Sequence, residues 1–351
     1  ADLAVIAYTG GTTGQPKGVM LTQQSMVLNV LSHVVEMELL DDERLLLCSP
    51  LPHSAGFLML AGLLKGATHF VESNFLPEIV VRRIENDGVT LTFMVPTMIY
   101  RLIDWIGDTR YNLSSLRSIL YGAAPITLPR LRQGLALFGP VFMQIYGQTE
   151  APNFITRLRR QDHRPDDDTA HRLASCGQPV AMAEVRIVDT DNRTLPVGEV
   201  GELAARTPYT MAGYHGLPDK TAETLIDGWL HTGDVAYQDA DGYVYLLDRK
   251  KDMIISGGMN VYTKEVEDAI HSCPGISQVA VVGLEDADWG EAVTAFVVAA
   301  DGVRPAESDV IEHCRSELSK YKRPKAVYFV DTLPLTVYGK HDKKALRKLR
   351  P

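Results

Sequence analysis

Cysteine occurs only four times in this 351-residue chain, as Cys48, Cys176, Cys273 and Cys314, with no C-x-x-C pair. That spacing argues against a disulfide frame or a cysteine zinc site and fits reduced thiols in a cytoplasm. No apolar run reaches membrane-spanning length, and no signal peptide precedes Leu3. Excess positive charge is missing too. A net charge of -9 repels the phosphate backbone, which sets general nucleic-acid binding aside. Internal repeats and low-complexity tracts are absent, and the N-x-[ST] matches at Asn112 and Asn192 carry no weight without secretion. The first residue is Ala1 rather than methionine, as in a processed chain or a fragment. What remains, 45% hydrophobic and 23% charged residues, is ordinary for a globular protein, and the length calls for two or three cores.

The most distinctive stretch is Tyr8 to Gly18, Y-T-G-G-T-T-G-Q-P-K-G, after a short strand signal at Leu3 to Ile6. Gly10, Gly11 and Gly14 permit positive φ and a close backbone approach, so consecutive N–H groups can turn onto an anion. Thr9, Thr12 and Thr13 add hydroxyls, and Lys17 adds a point charge. The stretch suits phosphate, yet it has neither P-loop nor dinucleotide-turn spacing, and its composition alone also describes a flexible turn. Thr22 reads as the N-cap of a helix with Met26, Val30, Leu31, Val34 and Val35 on one face, its N-terminus expected to face the loop's anion.

Strand signals at Leu45 to Leu47, Leu91 to Val95, Ser118 to Tyr121 and Phe142 to Tyr146 then alternate with helical ones at Ile79 to Glu85, Thr97 to Trp105 and Leu131 to Phe138. That alternation predicts an α/β domain with a largely parallel sheet over residues 1–170. Polar residues 161–172 mark a boundary. Beyond it Glu184 to Val188, Glu202 to Ala205 and Tyr243 to Leu247 predict a small distorted β-barrel or antiparallel sheet over 171–249. The charge cluster D-R-K-K-D, Asp248 to Asp252, reads as a hinge before a small α+β domain over 250–351. Its expected elements are helix Thr263 to His271, strands Val279 to Val282 and Val293 to Val298, helix Ser308 to Leu318 and strand Val327 to Val330.

Four further stretches carry candidate chemistry. Y-G-Q-T-E, Tyr146 to Glu150, ends a strand, and its single carboxylate beside the Thr149 hydroxyl suits one Mg²⁺ whose other ligands are phosphate and water. Thr232-Gly233-Asp234 offers a carboxylate for two ribose hydroxyls, or a turn cap. Gly257-Gly258-Met259-Asn260 is a backbone-dominated turn, and Gly339-Lys340 puts a lysine near the end of the chain.

The order and separation of these motifs resemble the ANL superfamily of adenylate-forming enzymes, and among them an acyl-CoA synthetase. The resemblance runs from about Ala4 to the C-terminus. It implies ATP, Mg²⁺ and coenzyme A as cofactors, and a small-molecule carboxylic acid as substrate; no nucleic acid or membrane span enters, and a homodimer stays open. The loop from Thr9 to Gly14 with Lys17 would orient the β- and γ-phosphates. Thr149 and Glu150 would place the α-phosphate and the metal, and Gly147 and Gln148 belong to the same nucleotide-binding turn. Gly122, Ala123, Ala124 and Tyr146 would frame the adenine and the acyl pocket, and Asp234 and Arg249 would hold the ribose. Lys340 matches the adenylation lysine and Lys251 the hinge. The face near Gly257 and Gly258 would serve thiol attack. His53, Ala55, Gly56 and Tyr121 would line the acid pocket, and no acidic residue there marks an α-amino acid, so an apolar chain or ring is expected.

Several features depart from the pattern. Gly10 stands where serine is frequent, Met259 where glutamate is frequent and Asp248 where glycine is common. The substantial N-terminal subdomain of such enzymes is not represented before the loop. Adenylation for a carrier protein, a luciferase-like oxygenase and a nucleotide-binding fragment without turnover are the competing expectations.

Overall fold

The computed structural model describes residues 2–9, 16–300, 302–303, 305–335 and 341–349. They fall into two compact units. One holds the amino-terminal strand, Lys17–Thr232 and Tyr237–Leu246; the other holds Gly233–Ala236 and the chain from Leu247 onward.

In the first unit, strands β1 (Leu3–Thr9) and β2 (Lys17–Thr22) form an antiparallel hairpin in which Thr9 faces Lys17. Helix α1 (Gln23–Glu36) follows at once, capped by Thr22, whose Oγ1 accepts the Ser25 N–H at 3.1 Å while Ser25 Oγ accepts the Thr22 N–H at 2.8 Å. At about 3.3 Å per residue, β2 carries the chain roughly 17 Å from Lys17 to Thr22, and the loop that α1 was expected to face lies outside the described residues. The helix face is only partly as expected: Met26, Val30 and Val34 pack half-buried on apolar cores, but Leu31 and Val35 are exposed, and the buried side chains of α1 are Ser25, Asn29, Ser32, His33 and Glu36.

The main sheet contains β3 (Arg44–Leu47), β4 (Thr68–Val71), β5 (Leu91–Met94), β6 (Ser118–Gly122), β7 (Phe142–Gln148), β8 (Ala151–Leu158) and β9 (Gln178–Pro179), in the order β4-β3-β5-β6-β7-β8-β9. The first five of that order are parallel, and β8 and β9 are antiparallel. Helices α2 (Gly56–Lys65), α3 (Pro77–Asp87), α4 (Pro96–Ile106) and α5 (Leu128–Phe138) make the crossovers. Both sheet faces are covered. Leu46, Met94, Ile119, Tyr121 and Phe142 pack with residues of α3, α4 and α5, while Leu45, Phe93, Leu120, Met143 and Ile145 pack with Met37, Leu58 and Ala61. Burial on two sides explains why these strands read as continuous apolar runs. A second sheet contains β10 (Glu184–Val188), β11 (Gly201–Arg206), β13 (Leu225–Ile226), β14 (Trp229–Gln238) and β15 (Val244–Arg249), while β12 (Gly213–Tyr214) instead extends the β1–β2 hairpin and precedes α6 (Pro218–Thr224). The result is an α/β domain with a small β-rich part, as expected.

In the second unit, β16 (Ile254–Ser256), β17 (Met259–Val261), β18 (Ile276–Asp286), β19 (Gly290–Ala299) and β20 (Ala326–Phe329) form one sheet. Helices α7 (Thr263–His271) and α8 (Glu307–Glu317) cover Val281, Val293, Ala295 and Val297 on one face, and α9 (Lys343–Leu346) follows near the end of the chain. Among the described residues no helix is long and apolar enough to cross a membrane.

Candidate active site

Because β3, β5, β6 and β7 are parallel, their carboxyl ends share one edge. Three stretches leave that edge: the turn to Gly56 after β3, Gly122 to Ala124 after β6 and Tyr146 to Glu150 at the end of β7. Open α/β sheets gather ligands there. A polar cleft of about 550 Å³ between Asp42, Arg44, Thr68, Thr90 and Arg117 lies at the opposite edge, where the strands begin, and its Arg117 is already bonded to Asp42 at 2.9 Å.

Tyr214 joins two residues singled out in the sequence. Its strand pairs with β2, with Tyr214 opposite Val19, which brings the ring beneath the Lys17 ammonium at 3.9 Å. The phenol then donates to Glu150 Oε1 at 2.6 Å. Burial first, and the Glu150 charge second, push the phenol well above its ordinary range, so it stays a donor. Nothing in the sequence around Tyr214 marks this role, because the contact depends on the pairing of two strands far apart in the chain. Glu150 is 9% exposed, and no cluster of three His, Cys, Asp or Glu residues able to hold a metal exists among the described residues. One buried carboxylate suits a hard cation that takes its remaining ligands from phosphate and water.

Around this cluster the backbone is closely fitted. A Cβ on Gly122 would lie 2.3 Å from the Ile145 carbonyl, and one on Gly147 would lie 2.6 Å from the Asn153 nitrogen. Ala123 is exposed at φ +65°, a strained conformation for a residue with a Cβ, and Ala124 is half-buried beside it. Gln148 donates to the Thr232 carbonyl at 2.7 Å, and half-buried Tyr146 packs against Ala151, Ile155 and Leu230. Thr149 is half-buried. Thr9 sits at the end of β1, its hydroxyl 3.5 Å from the Lys17 carbonyl.

The acid-pocket residues separate into two groups. His53 lies in the irregular turn Leu51–Ala55, exposed, with Ala55 buried behind it. A Cβ on Gly56 would meet the Leu51 carbonyl at 2.2 Å, so this turn closes only over glycine. Tyr121 is not brought to them. Strand alternation places it with Ile119 beneath α3 to α5, wholly buried, with its hydroxyl 3.0 Å from His163 Nε2. Its side chain is therefore a core residue.

In the second unit, Asp234 Oδ1 meets Arg249 Nε at 2.8 Å, and the Lys250 N–H donates to the Gly233 carbonyl at 2.8 Å. Lys251 is exposed in the turn that follows, where Asp252 and Met253 both donate to the Arg249 carbonyl. Asp248, in the expected hinge cluster, is half-buried, and burial pushes its carboxyl above the ordinary range, a shift that the Lys343 charge opposes. Gly257 and Gly258, at φ +58° and +78°, make the two-residue turn between β16 and β17. The Gly257 N–H donates to the Trp289 carbonyl at 2.8 Å, and the Lys325 ammonium lies 3.9 Å above the Trp289 ring. Trp289 and Lys325 did not stand out in the sequence, being ordinary members of separate stretches. Gly10, Gly11, Thr12, Thr13, Gly14 and Lys340 lie outside the described residues.

A family model of AMP-binding enzymes matches residues 1–215, and one of the AMP-binding enzyme C-terminal domain matches residues 265–340. A medium/long-chain-fatty-acid–CoA ligase, FadD8 of Mycobacterium tuberculosis, is 43% identical over 349 residues, covering 97% of this chain and 60% of that protein. Feruloyl-CoA synthase of Amycolatopsis is 41% identical over 349 residues, covering 99% and 70%. The chain thus spans about three fifths of the first of these relatives. Among solved structures, the amide bond synthetase McbA of Marinactinospora thermotolerans superposes with a TM-score of 0.90 at 37% identity, covering 99% of this chain and 69% of that one.

Proposed function

Since the chain belongs to the AMP-binding enzymes, the adenylate-forming family, we propose that it activates a carboxylic acid with ATP and passes the acyl group to the thiol of coenzyme A. The carrying observation is the Lys17, Tyr214 and Glu150 cluster, in which one tyrosine meets a cation through its ring and a buried carboxylate through its hydroxyl. In the first step a carboxylate oxygen attacks the α-phosphorus, a P–O bond breaks and pyrophosphate leaves. In the second, the sulfur attacks the acyl carbon, the C–O bond to AMP breaks and the thiol proton goes to solvent.

Each residue has a bounded task in this reading. Lys17, with Thr9 to Gly14, neutralises the departing phosphates; Asp234 and Arg249 hold the ribose; Gly122 to Ala124 offer backbone to the adenine, and Gly147 and Gln148 shape the nucleotide turn beside Tyr146 and Thr149. Glu150 is the residue that would hold Mg²⁺, which supplies charge neutralisation for the phosphate oxygens when bound. Tyr214 keeps the Glu150 carboxylate oriented. Lys340 lowers the barrier as charge builds on the α-phosphate, an interaction useful only in the transition state. Lys251 is the hinge, and the Gly257–Gly258 turn, with Lys325 over Trp289, is the face that meets the anionic acceptor. The exposed imidazole of His53 and buried Ala55 border the acid, whose class is an apolar chain or ring. A cytoplasmic enzyme, monomer or homodimer, with no nucleic-acid partner completes the proposal.

Acid-dependent ATP–pyrophosphate exchange across a panel of fatty and aromatic acids, followed by CoA-dependent AMP release, tests it. Exchange with at least one acid is expected. No exchange with any acid leaves a nucleotide-binding chain without turnover, and exchange without CoA-dependent release moves the acceptor to a carrier protein or an amine.

A further inference from the structure

The buried polar face of α1 ends on two residues that the proposed reaction does not use. His33 is wholly buried, its Nδ1 2.7 Å from the Asn29 carbonyl and its Nε2 2.9 Å from Asn153 Nδ2. The carbonyl can only accept, so Nδ1 carries the proton and Nε2 is the acceptor. Asn153 Nδ2 lies also 3.2 Å from the Ser54 carbonyl, again an obligate acceptor, so the amide group donates both of its hydrogens, one to His33 and one to Ser54. The donor order along this chain is thereby fixed. Burial keeps the imidazole neutral by lowering its pKa to about 4, which preserves the order at neutral pH.

The backbone of Asn153 serves a second neighbour. It adopts φ +63° inside β8, a conformation that asparagine tolerates better than most residues, and its N, Cα and C atoms abut Gly147 so closely that no Cβ fits there. Asn29 Nδ2 donates to the adjoining Pro152 carbonyl at 2.9 Å and holds that stretch from the same helix. Phe154 meets the His33 ring edge-on at 4.8 Å, and Phe57 stacks with it at 6.2 Å. One residue thus touches both the Tyr146 to Glu150 turn and the irregular Leu51–Ala55 turn that carries His53.

We propose that His33 and Asn153 are positioning residues that fix the Leu51–Ala55 wall of the acid pocket against the nucleotide-binding turn, and so set which acids fit. The inference rests on the proposed acid-activating reaction. A wall tied by this side-chain amide loosens when the amide loses a donor, and a loosened wall changes affinity for the acid before affinity for ATP.

The test compares His33→Gln, His33→Leu and Asn153→Asp with the parent. Glutamine offers one donor and one acceptor, leucine offers neither, and aspartate keeps the backbone conformation but can only accept. The expected result is a KM for the acid raised roughly tenfold in His33→Leu and Asn153→Asp, with the KM for ATP unchanged and His33→Gln close to the parent. Hydrogen exchange should quicken in residues 51–56 alone. Equal loss in His33→Gln and His33→Leu, equal rises in both KM values, or unchanged exchange at 51–56 overturns the proposal. Should His33→Leu fail to fold, Asn153→Asp decides alone. A parent inactive with every acid refutes the reaction, and hydrogen exchange together with the imidazole ¹⁵N shifts of His33 still decides whether the two residues hold the turn.

Discussion

Replacing Tyr214 by phenylalanine removes one oxygen and leaves the ring. The 3.9 Å stacking of the Lys17 ammonium, worth about 0.5–1 kcal/mol at a site of this kind, survives because it needs only the ring face. What is lost is the 2.6 Å bond to Glu150 Oε1. A hydrogen bond to a charged group contributes about 1.5–3 kcal/mol, and the carboxylate is nearly buried, so water replaces the phenol poorly. If that loss falls on the adenylation step, the rate drops by roughly 10- to 150-fold. Because the carboxylate loses its orientation and not its charge, the Mg²⁺ concentration for half-maximal rate should rise together with the drop. The phenol is held protonated by its raised pKa, so the parent-to-variant ratio should be flat from about pH 6 to 9. Pyrophosphate exchange against Mg²⁺ concentration measures all three, and Glu150→Gln closes the cycle. Two residues in direct contact should be non-additive, with the double variant little slower than Glu150→Gln alone. An unchanged Mg²⁺ curve for Tyr214→Phe, or strict additivity, refutes the role assigned to the phenol.

Acid should destabilise the first unit through its histidines. His33 and His163 are both buried with pKa values lowered from 6.5 to about 4, so their contribution is complete above pH 6.5 and is lost as pH falls through 4. At about 1.36 kcal/mol per pH unit this is roughly 3 kcal/mol for each imidazole, and urea titrations between pH 7 and 4 should show a shallower loss in His33→Gln than in the parent. Parallel curves would refute it. Lys340→Ala should lower acyl-adenylate formation by roughly 3 kcal/mol in barrier while sparing thioester formation from supplied acyl-AMP; equal loss in both steps would remove the lysine from the first. Lys325→Glu should raise the KM for CoA and leave pyrophosphate exchange at the parent rate, and an unaltered KM would return Lys325 to the ordinary surface.

Alternation of apolar runs with helical periods was enough to read the parallel sheet, since β3, β5, β6 and β7 are buried on both faces and their residues say so without any partner in view. Local chemistry likewise placed Thr22 at a helix start and a turn at Gly257–Gly258, because capping and positive φ involve only neighbours in the chain. The glycine-rich loop, Glu150 and Asp234 stood out for the same reason. Tertiary structure decided the rest. The apolar face read for α1 held only for Met26, Val30 and Val34, because Asn29, His33 and Glu36 find hydrogen-bond partners on β8 and at Ala181, contacts of more than a hundred residues' separation that no local pattern encodes. Tyr121 was read toward the pocket, and strand alternation turned it into the core. Tyr214 and Asn153 were invisible in the sequence, since a strand pairing and a turn packed on a glycine decide what those side chains can reach. Residues whose chemistry is carried by their own backbone could be read from the chain itself, whereas residues that act through a distant partner could be found only after folding had supplied it.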